Sequence, residues 1–163
     1  MLKEIETDLV YSKYDFSQFI KIVEVVEDPD KILSFEILNK NPNLNSILFG
    51  SIEVINTLKE KTPQDLKYKC NFNAGDYLKF IPVGQKLYIF NQMLSKHNDD
   101  ILVSFFQNIY KLIPLYGRLI LIENLNSGRS ESEFEILFKK AHFLKTNTIK
   151  ISDELSILEV LRL

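Results

Sequence analysis

Five short apolar runs punctuate this chain, separated by amphipathic stretches or turns, and the sequence then closes on two adjacent β-rich runs. Residues 20–26, IKIVEVV, are β-branched and nearly continuous in apolarity. A strand of that kind cannot leave one face in water, so it belongs to a sheet covered on both sides. SILF (46–49), LKYKCNF (66–72), QKLYIFNQM (85–93) and RLILIENL (118–125) repeat the pattern. Between them KILSFEILNK (31–40), IEVINTLKEK (52–61) and DDILVSFFQNIYKLI (99–113) carry apolar residues at helical spacing, and SESEFEILFKKAHF (130–143) follows the fifth run. Asp28 is placed to cap the first of these helices, with Pro29 at its first position. FLKTNTIKIS and ELSILEVLRL, parted only by a short polar step at Asp153-Glu154, form a hairpin rather than a crossover. Repeated β-α units ending in a hairpin predict an α/β fold with a mostly parallel sheet between helical layers. Residues 1–19 read as an N-terminal helical extension and 20–163 as the sheet-containing unit of a single domain.

A length of 163 residues suits one domain. Twenty basic and twenty-two acidic residues nearly cancel, so no net field draws in nucleic acid or an anionic membrane. Cys70 is the sole cysteine, which excludes an internal disulfide and a cysteine-based zinc cage. His97 and His142 lie too far apart to form a recognisable metal pattern, so no metal is expected. The N-terminus lacks the apolar core of a signal peptide, and no apolar run approaches a bilayer-spanning length. A cytoplasmic protein is the expectation.

Particular residues narrow the fold. Gly75-Asp76-Tyr77 follows the third strand, Leu94-Ser95-Lys96-His97 the fourth, Pro114-Leu115-Tyr116-Gly117 precedes the fifth, and that strand ends in Glu123 before Arg129-Ser130-Glu131-Ser132-Glu133-Phe134. This collinear order resembles the catalytic domain of the small-molecule O-methyltransferases, the group that methylates caffeate, hydroxyindole and polyketide acceptors. The resemblance runs from about Tyr14 to the end of the chain. It implies a class I methyltransferase Rossmann-like sandwich of seven strands with an antiparallel C-terminal hairpin. It also implies S-adenosylmethionine as cofactor, and a dimerising N-terminal domain to which nothing in this chain corresponds.

Set against that pattern, the chain departs where the chemistry lies. The family's acid and glycine-rich turn align with Glu24-Val25-Val26-Glu27-Asp28-Pro29-Asp30, which keeps the acid at Glu24 and has no glycine. Glycine there lets backbone approach the cofactor, and Val26 puts a branched side chain in its path. The family's ribose-binding acid at the tip of the second strand falls at Gly50. Asp76 matches the residue that contacts adenine, so Glu24 and Asp76 are the cofactor-binding candidates by resemblance. Ser95 occupies the position of the histidine base, with His97 two residues on. Glu123 matches one acid flanking the base, while the second falls at Gly128. His97 and Glu123 are the catalytic candidates. The leading reading is a degenerate methyltransferase-like pseudoenzyme acting by binding or assembly, with a protein partner or homo-oligomer as its context. A second reading keeps it an active O-methyltransferase with an altered cofactor loop. A third makes it half of a split protein, and expects an exposed apolar patch around Leu9, Val10, Phe16 and Phe19.

Overall fold

The computed structural model describes residues 4–163. The first three residues of the 1–19 extension lie outside the described residues. The rest of that segment holds helix α1 (Glu4–Lys13) and a single 3₁₀ turn, Phe16–Gln18.

Seven strands form one sheet: β1 (Lys21–Val25), β2 (Asn45–Gly50), β3 (Cys70–Ala74), β4 (Leu87–Asn91), β5 (Arg118–Glu123), β6 (Phe143–Lys150) and β7 (Ser156–Arg162). Their order across the sheet is β3-β2-β1-β4-β5-β7-β6. The first five run parallel, and β7 is antiparallel to both β5 and β6. Helices α2 (Ser34–Lys40), α3 (Ile52–Lys61), α4 (Asp99–Leu112) and α5 (Glu131–Lys140) are the α-helices that follow α1. The sheet order reverses between β1 and β4, and in open parallel sheets ligands bind outside the carboxyl ends of strands at such a reversal.

Alternation along each strand supplies two cores. Val23, Val25, Phe49, Phe90, Leu119 and Leu121 face one layer, where they meet Phe105, Phe106, Phe134 and Phe138 of α4 and α5. Ile22, Leu48, Ile89, Ile120 and Ile122 face the other, packed with Ile37, Leu38, Ile55 and Leu58 of α2 and α3. Glu24 shares the parity of Ile22, so it points into the α2 layer although it is ionisable.

Three expectations change in the structure. The helix expected over 31–40 does not start at Pro29. Asp28 caps only a 3₁₀ turn, Pro29–Lys31, through Asp30 N at 2.9 Å, and Ile32 is extended before α2 begins at Ser34. The third strand, expected over 66–72, is displaced to Cys70–Ala74 because Gln64–Lys69 winds into 3₁₀ helix after Pro63. The exposed patch expected around Leu9, Val10, Phe16 and Phe19 is absent. Val10 and Phe16 are buried and Leu9 and Phe19 half-buried against the β1–β2 core. Tyr11 donates to Leu33 O at 3.2 Å and Tyr14 to Glu159 Oε2 at 2.8 Å, fixing this segment to the sheet domain.

The end of α5 yields a stability prediction. His142 is exposed and has φ of 66°, the left-handed conformation that glycine adopts without strain. His142→Gly is expected to raise unfolding stability by about 1 kcal/mol in urea titrations.

Candidate functional site

The loops after β1, β2, β3 and β4 meet at the carboxyl edge of the sheet. There they border a cleft of about 320 Å³, lined by Val26, Glu27, Gly50, Ser51, Val54, Gly75, Asp76, Tyr77 and Lys96. The lining is apolar at Val26 and Val54 and polar at Ser51, Asp76 and Tyr77. Its shape rests on two close backbone approaches. Gly75 N donates to Gly50 O at 2.8 Å, and Val26 N donates to Phe49 O at 2.7 Å, extending the β1–β2 ladder one residue past the strand. A Cβ on Gly50 would lie 2.5 Å from Val26 O, so only glycine fits there.

Across the sheet reversal the cleft ends in a ring of side chains. Lys96, from the loop after β4, is ion-paired with Glu27 Oε1, from the loop after β1. Tyr77 OH donates to Glu27 Oε2 at 3.0 Å and lies 2.7 Å from His97 Nε2. The hydroxyl has one proton. With it directed to Glu27, His97 Nε2 carries its own proton and donates to the phenol oxygen. Partial burial holds the His97 imidazole below its ordinary pKa, and the nearby Lys96 and Arg129 charges push the same way. At neutral pH this places a neutral imidazole beside Tyr77.

Arg129 fixes the backbone that carries this ring. Its Nε donates to Asp99 Oδ1 at 2.8 Å, and its two terminal nitrogens donate to the carbonyls of Ser95 and His97. Asn98 caps α4 through Ile101 N at 2.9 Å. The 95–99 segment is therefore held at both ends.

The candidates read from the sequence are not brought into one constellation. Glu24 does not line the cleft. It is 1 % exposed and its carboxylate receives Leu33 N (2.9 Å), Ser34 N (2.8 Å) and Ser34 Oγ (2.7 Å), so it caps α2. Asp76 does line the cleft, and its Oδ1 also receives Leu78 N at 3.0 Å in a local turn. Ser95 Oγ donates to Glu123 Oε2 at 2.6 Å. Burial raises the Glu123 carboxyl above its usual range, opposed chiefly by the Ser95 hydrogen bond. No hydrogen bond joins His97 to Glu123: His97 is bonded to Tyr77 and Glu123 to Ser95. Cys70 is buried and its thiol is pushed up to about 11 by burial, so little of it is thiolate near neutral pH. Among the described residues, no group of three or more His, Cys, Asp or Glu side chains could hold a metal ion. Nor, among them, is any helix long and apolar enough to cross a membrane.

Tyr77, Lys96 and Arg129 are the site residues that sequence reasoning missed. Arg129 had a signal, since it opens the Arg-Ser-x-x-Glu-Phe stretch already aligned with the family. Tyr77 directly follows Asp76, but nothing in the sequence links it to Glu27 fifty positions earlier.

Comparison with known proteins agrees with this architecture. The chain is 23% identical over 173 aligned positions to the phenazine O-methyltransferase PhzM of Lysobacter antibioticus, covering 92% of this chain and 50% of that one. It is 25% identical over 158 positions to the mitomycin biosynthesis 6-O-methyltransferase of Streptomyces lavendulae, covering 83% and 45%. It therefore spans about half the length of these curated relatives. Among solved structures, the mitomycin 7-O-methyltransferase MmcR superposes with a TM-score of 0.89 at 24% identity, over 97% of this chain and 53% of that one. Human N-acetylserotonin methyltransferase, solved in complex with SAM, gives 0.82 at 18% identity, over 96% and 51%. These likenesses establish the class I methyltransferase fold. The profile of the O-methyltransferase domain matches residues 2–150, and the chain belongs to that family.

Proposed function

We propose that this domain is a methyltransferase-like module that does not transfer methyl groups and acts by binding or assembly. The observation that carries this reading is the chain's own Lys96–Glu27 pair, continued through Tyr77 to His97, which links the loops after β1, β3 and β4 across the sheet reversal. S-adenosylmethionine, when bound, would supply an electrophilic methyl group; the residues present here do not fit it. In a nucleotide-binding α/β fold the free amides at the N-terminus of the helix after β1 would favour a ligand's negative charge. Here Leu33 N and Ser34 N are occupied by the buried Glu24 carboxylate. The amide of Val26 is engaged by Phe49 O, and its side chain is 4 % exposed where a glycine would leave room. Gly50 offers no carboxylate to a ribose, and its surroundings admit none without movement.

The base is missing in the same sense. Ser95 donates to Glu123, and an unactivated serine hydroxyl is a poor base near neutral pH. His97 Nε2 is already engaged by the Tyr77 hydroxyl, at 2.7 Å.

The test is incubation of the purified chain with methyl-labelled S-adenosylmethionine and a panel of phenolic and enolic acceptors. No transfer above the rate of boiled protein is expected. Turnover that disappears in His97→Ala or Glu123→Gln would overturn the proposal.

A further inference from the structure

A net charge of -2 conceals a segregation of charge along the strands. Helices α3, α4 and α5 each carry acids in the first turn and lysines in the last. Their N-termini make the carboxyl edge of the sheet acidic and their C-termini make the amino edge basic, an arrangement that suits the helix dipoles. The strands add to the pattern where no helix end requires it. Lys21 opens β1 and Lys86 immediately precedes β4, and the β1–β4 register, which pairs Val23 with Tyr88, sets the two lysines side by side. Like charges in that position repel. Among the described residues neither of them, nor Lys111 in the last turn of α4, has an ion pair. The chain around them holds no acid from 16 to 23, from 77 to 98 or from 101 to 122. Asp15 caps the turn at Phe16, and Glu159 is engaged by Tyr14 and Arg118.

Large apolar side chains stand exposed among these lysines. Ile20, just before β1, is 80% exposed, and Leu115 and Tyr116, just before β5, are 52% and 64% exposed. β4, with Lys86 at its start, is the one strand between β1 and β5, so the two apolar groups lie two strand spacings, about 10 Å, apart. Tyr116 has φ of 64° and its amide donates to Arg162 O at 2.9 Å, which holds an aromatic residue in a left-handed conformation at the rim.

We propose that the amino edge of the sheet docks on an anionic phospholipid bilayer, with Lys21, Lys86 and Lys111 at the headgroup phosphates and Ile20, Leu115 and Tyr116 in the interfacial layer. A hydrated polyanion such as duplex DNA would use the lysines and leave those side chains in water, whereas a bilayer takes both. The acidic edge does not oppose this. It lies a strand's length away, about 20 Å for the six residues of β5, while the Debye length at physiological ionic strength is about 8 Å. The inference goes beyond the non-catalytic reading and does not depend on it, since the cleft and its side-chain ring lie at the opposite edge.

Co-sedimentation of the full chain with vesicles of phosphatidylcholine alone, and of phosphatidylcholine with about 30% phosphatidylserine, tests it. Partition onto the anionic vesicles is expected to be about tenfold stronger at low salt, and to lose most of that advantage at high salt. Lys86→Gln/Lys111→Gln is expected to weaken it about tenfold. Leu115→Ser/Tyr116→Gly is expected to weaken it about fivefold through lost apolar contact. All four side chains are exposed, so both variants remain folded, and circular dichroism checks them. Glu53→Gln/Glu154→Gln removes two negative charges at the carboxyl edge and is expected to leave partition unchanged. Equal partition onto the two vesicles, unchanged partition in either amino-edge variant, or a gain in Glu53→Gln/Glu154→Gln would overturn the inference. So would tighter binding of duplex DNA than of the anionic vesicles. Pelleting without lipid that Lys86→Gln/Lys111→Gln abolishes would overturn it too, by assigning the edge to the acidic edge of a second copy. Each of these results leaves the non-catalytic reading standing.

Discussion

Replacing Glu24 with alanine is expected to lower unfolding stability by about 4 kcal/mol at pH 5 and by markedly less at pH 8. The size follows from what the carboxyl group holds. Leu33 N and Ser34 N are buried donors directed at it, and each such group left without a partner costs about 1–3 kcal/mol. The pH dependence follows from burial. It raises the Glu24 carboxyl from 4.5 to about 7, against the hydrogen bonds from Ser34 and Leu33 that favour the anion. Between those values the folded chain keeps a proton that the unfolded chain has released. Stability therefore falls as pH rises from about 4.5 to about 7 and levels off above, by on the order of 3 kcal/mol in all.

The neighbourhood accommodates both states of the carboxyl group. Ser34 Oγ lies 2.9 Å from Ser46 Oγ, and either can be the donor. With Glu24 ionised, Ser34 donates to it. With Glu24 protonated, the acid donates to Ser34, which turns its own proton to Ser46. Urea titrations of the parent chain and Glu24→Ala between pH 4.5 and 8.5 measure the difference directly. Glu123 shifts in the same direction, so the variant keeps part of the slope. An identical slope in both proteins would show that Glu24 titrates as an ordinary carboxylate and does not set the profile.

Glu24 also marks the boundary of what the sequence made legible. The apolar runs at 20–26, 46–49 and 118–125 identify strands without tertiary information, because strands covered on both faces need continuous apolarity. The terminal pair at 143–152 and 154–163 identifies itself as a hairpin because no helix-length segment separates its halves. The start of α2 was not legible. Asp28-Pro29 is a valid local start signal and does form a turn, but the helix begins where a side chain nine positions earlier supplies its cap. Long-range capping of this kind leaves no mark on local spacing. The same limit applies to Lys96–Glu27, separated by 69 positions, and to Tyr77–Glu27, separated by fifty. Departures from the family pattern at the site were legible because they fall within motifs that the resemblance aligns. The contacts made there were not, since they join loops that only the sheet order brings together.

The resemblance implies an acid at position 50 and a glycine at position 26, and in the structure the residues at these two positions are in direct contact. Gly50→Asp, which would place a carboxylate at the tip of β2, is expected to cost about 3 kcal/mol. The added Cβ would lie 2.5 Å from the backbone oxygen of Val26 and 3.3 Å from Val54 Cγ1. A side chain could turn aside, whereas the Val26 carbonyl is backbone and moves only by rotation about the Val26 Cα–C bond, beside an amide held to Phe49 O at 2.7 Å. Gly50→Ala is expected to cost nearly as much, because the conflict is at Cβ and not at the charge. Val26→Gly alone is expected to cost about 2 kcal/mol through the loss of a buried side chain. Its effect on the loop is different: without Cβ the backbone at 26 can take conformations that move the carbonyl away from residue 50. The pair Gly50→Asp/Val26→Gly should therefore cost at least 1 kcal/mol less than the sum of its parts, measured as a double-mutant cycle in urea. A strictly additive cycle would make the two positions independent. Coupling of the expected sign would mean that a valine after β1 requires glycine at the end of β2, so the acid that the resemblance implies at position 50 demands a different loop after β1.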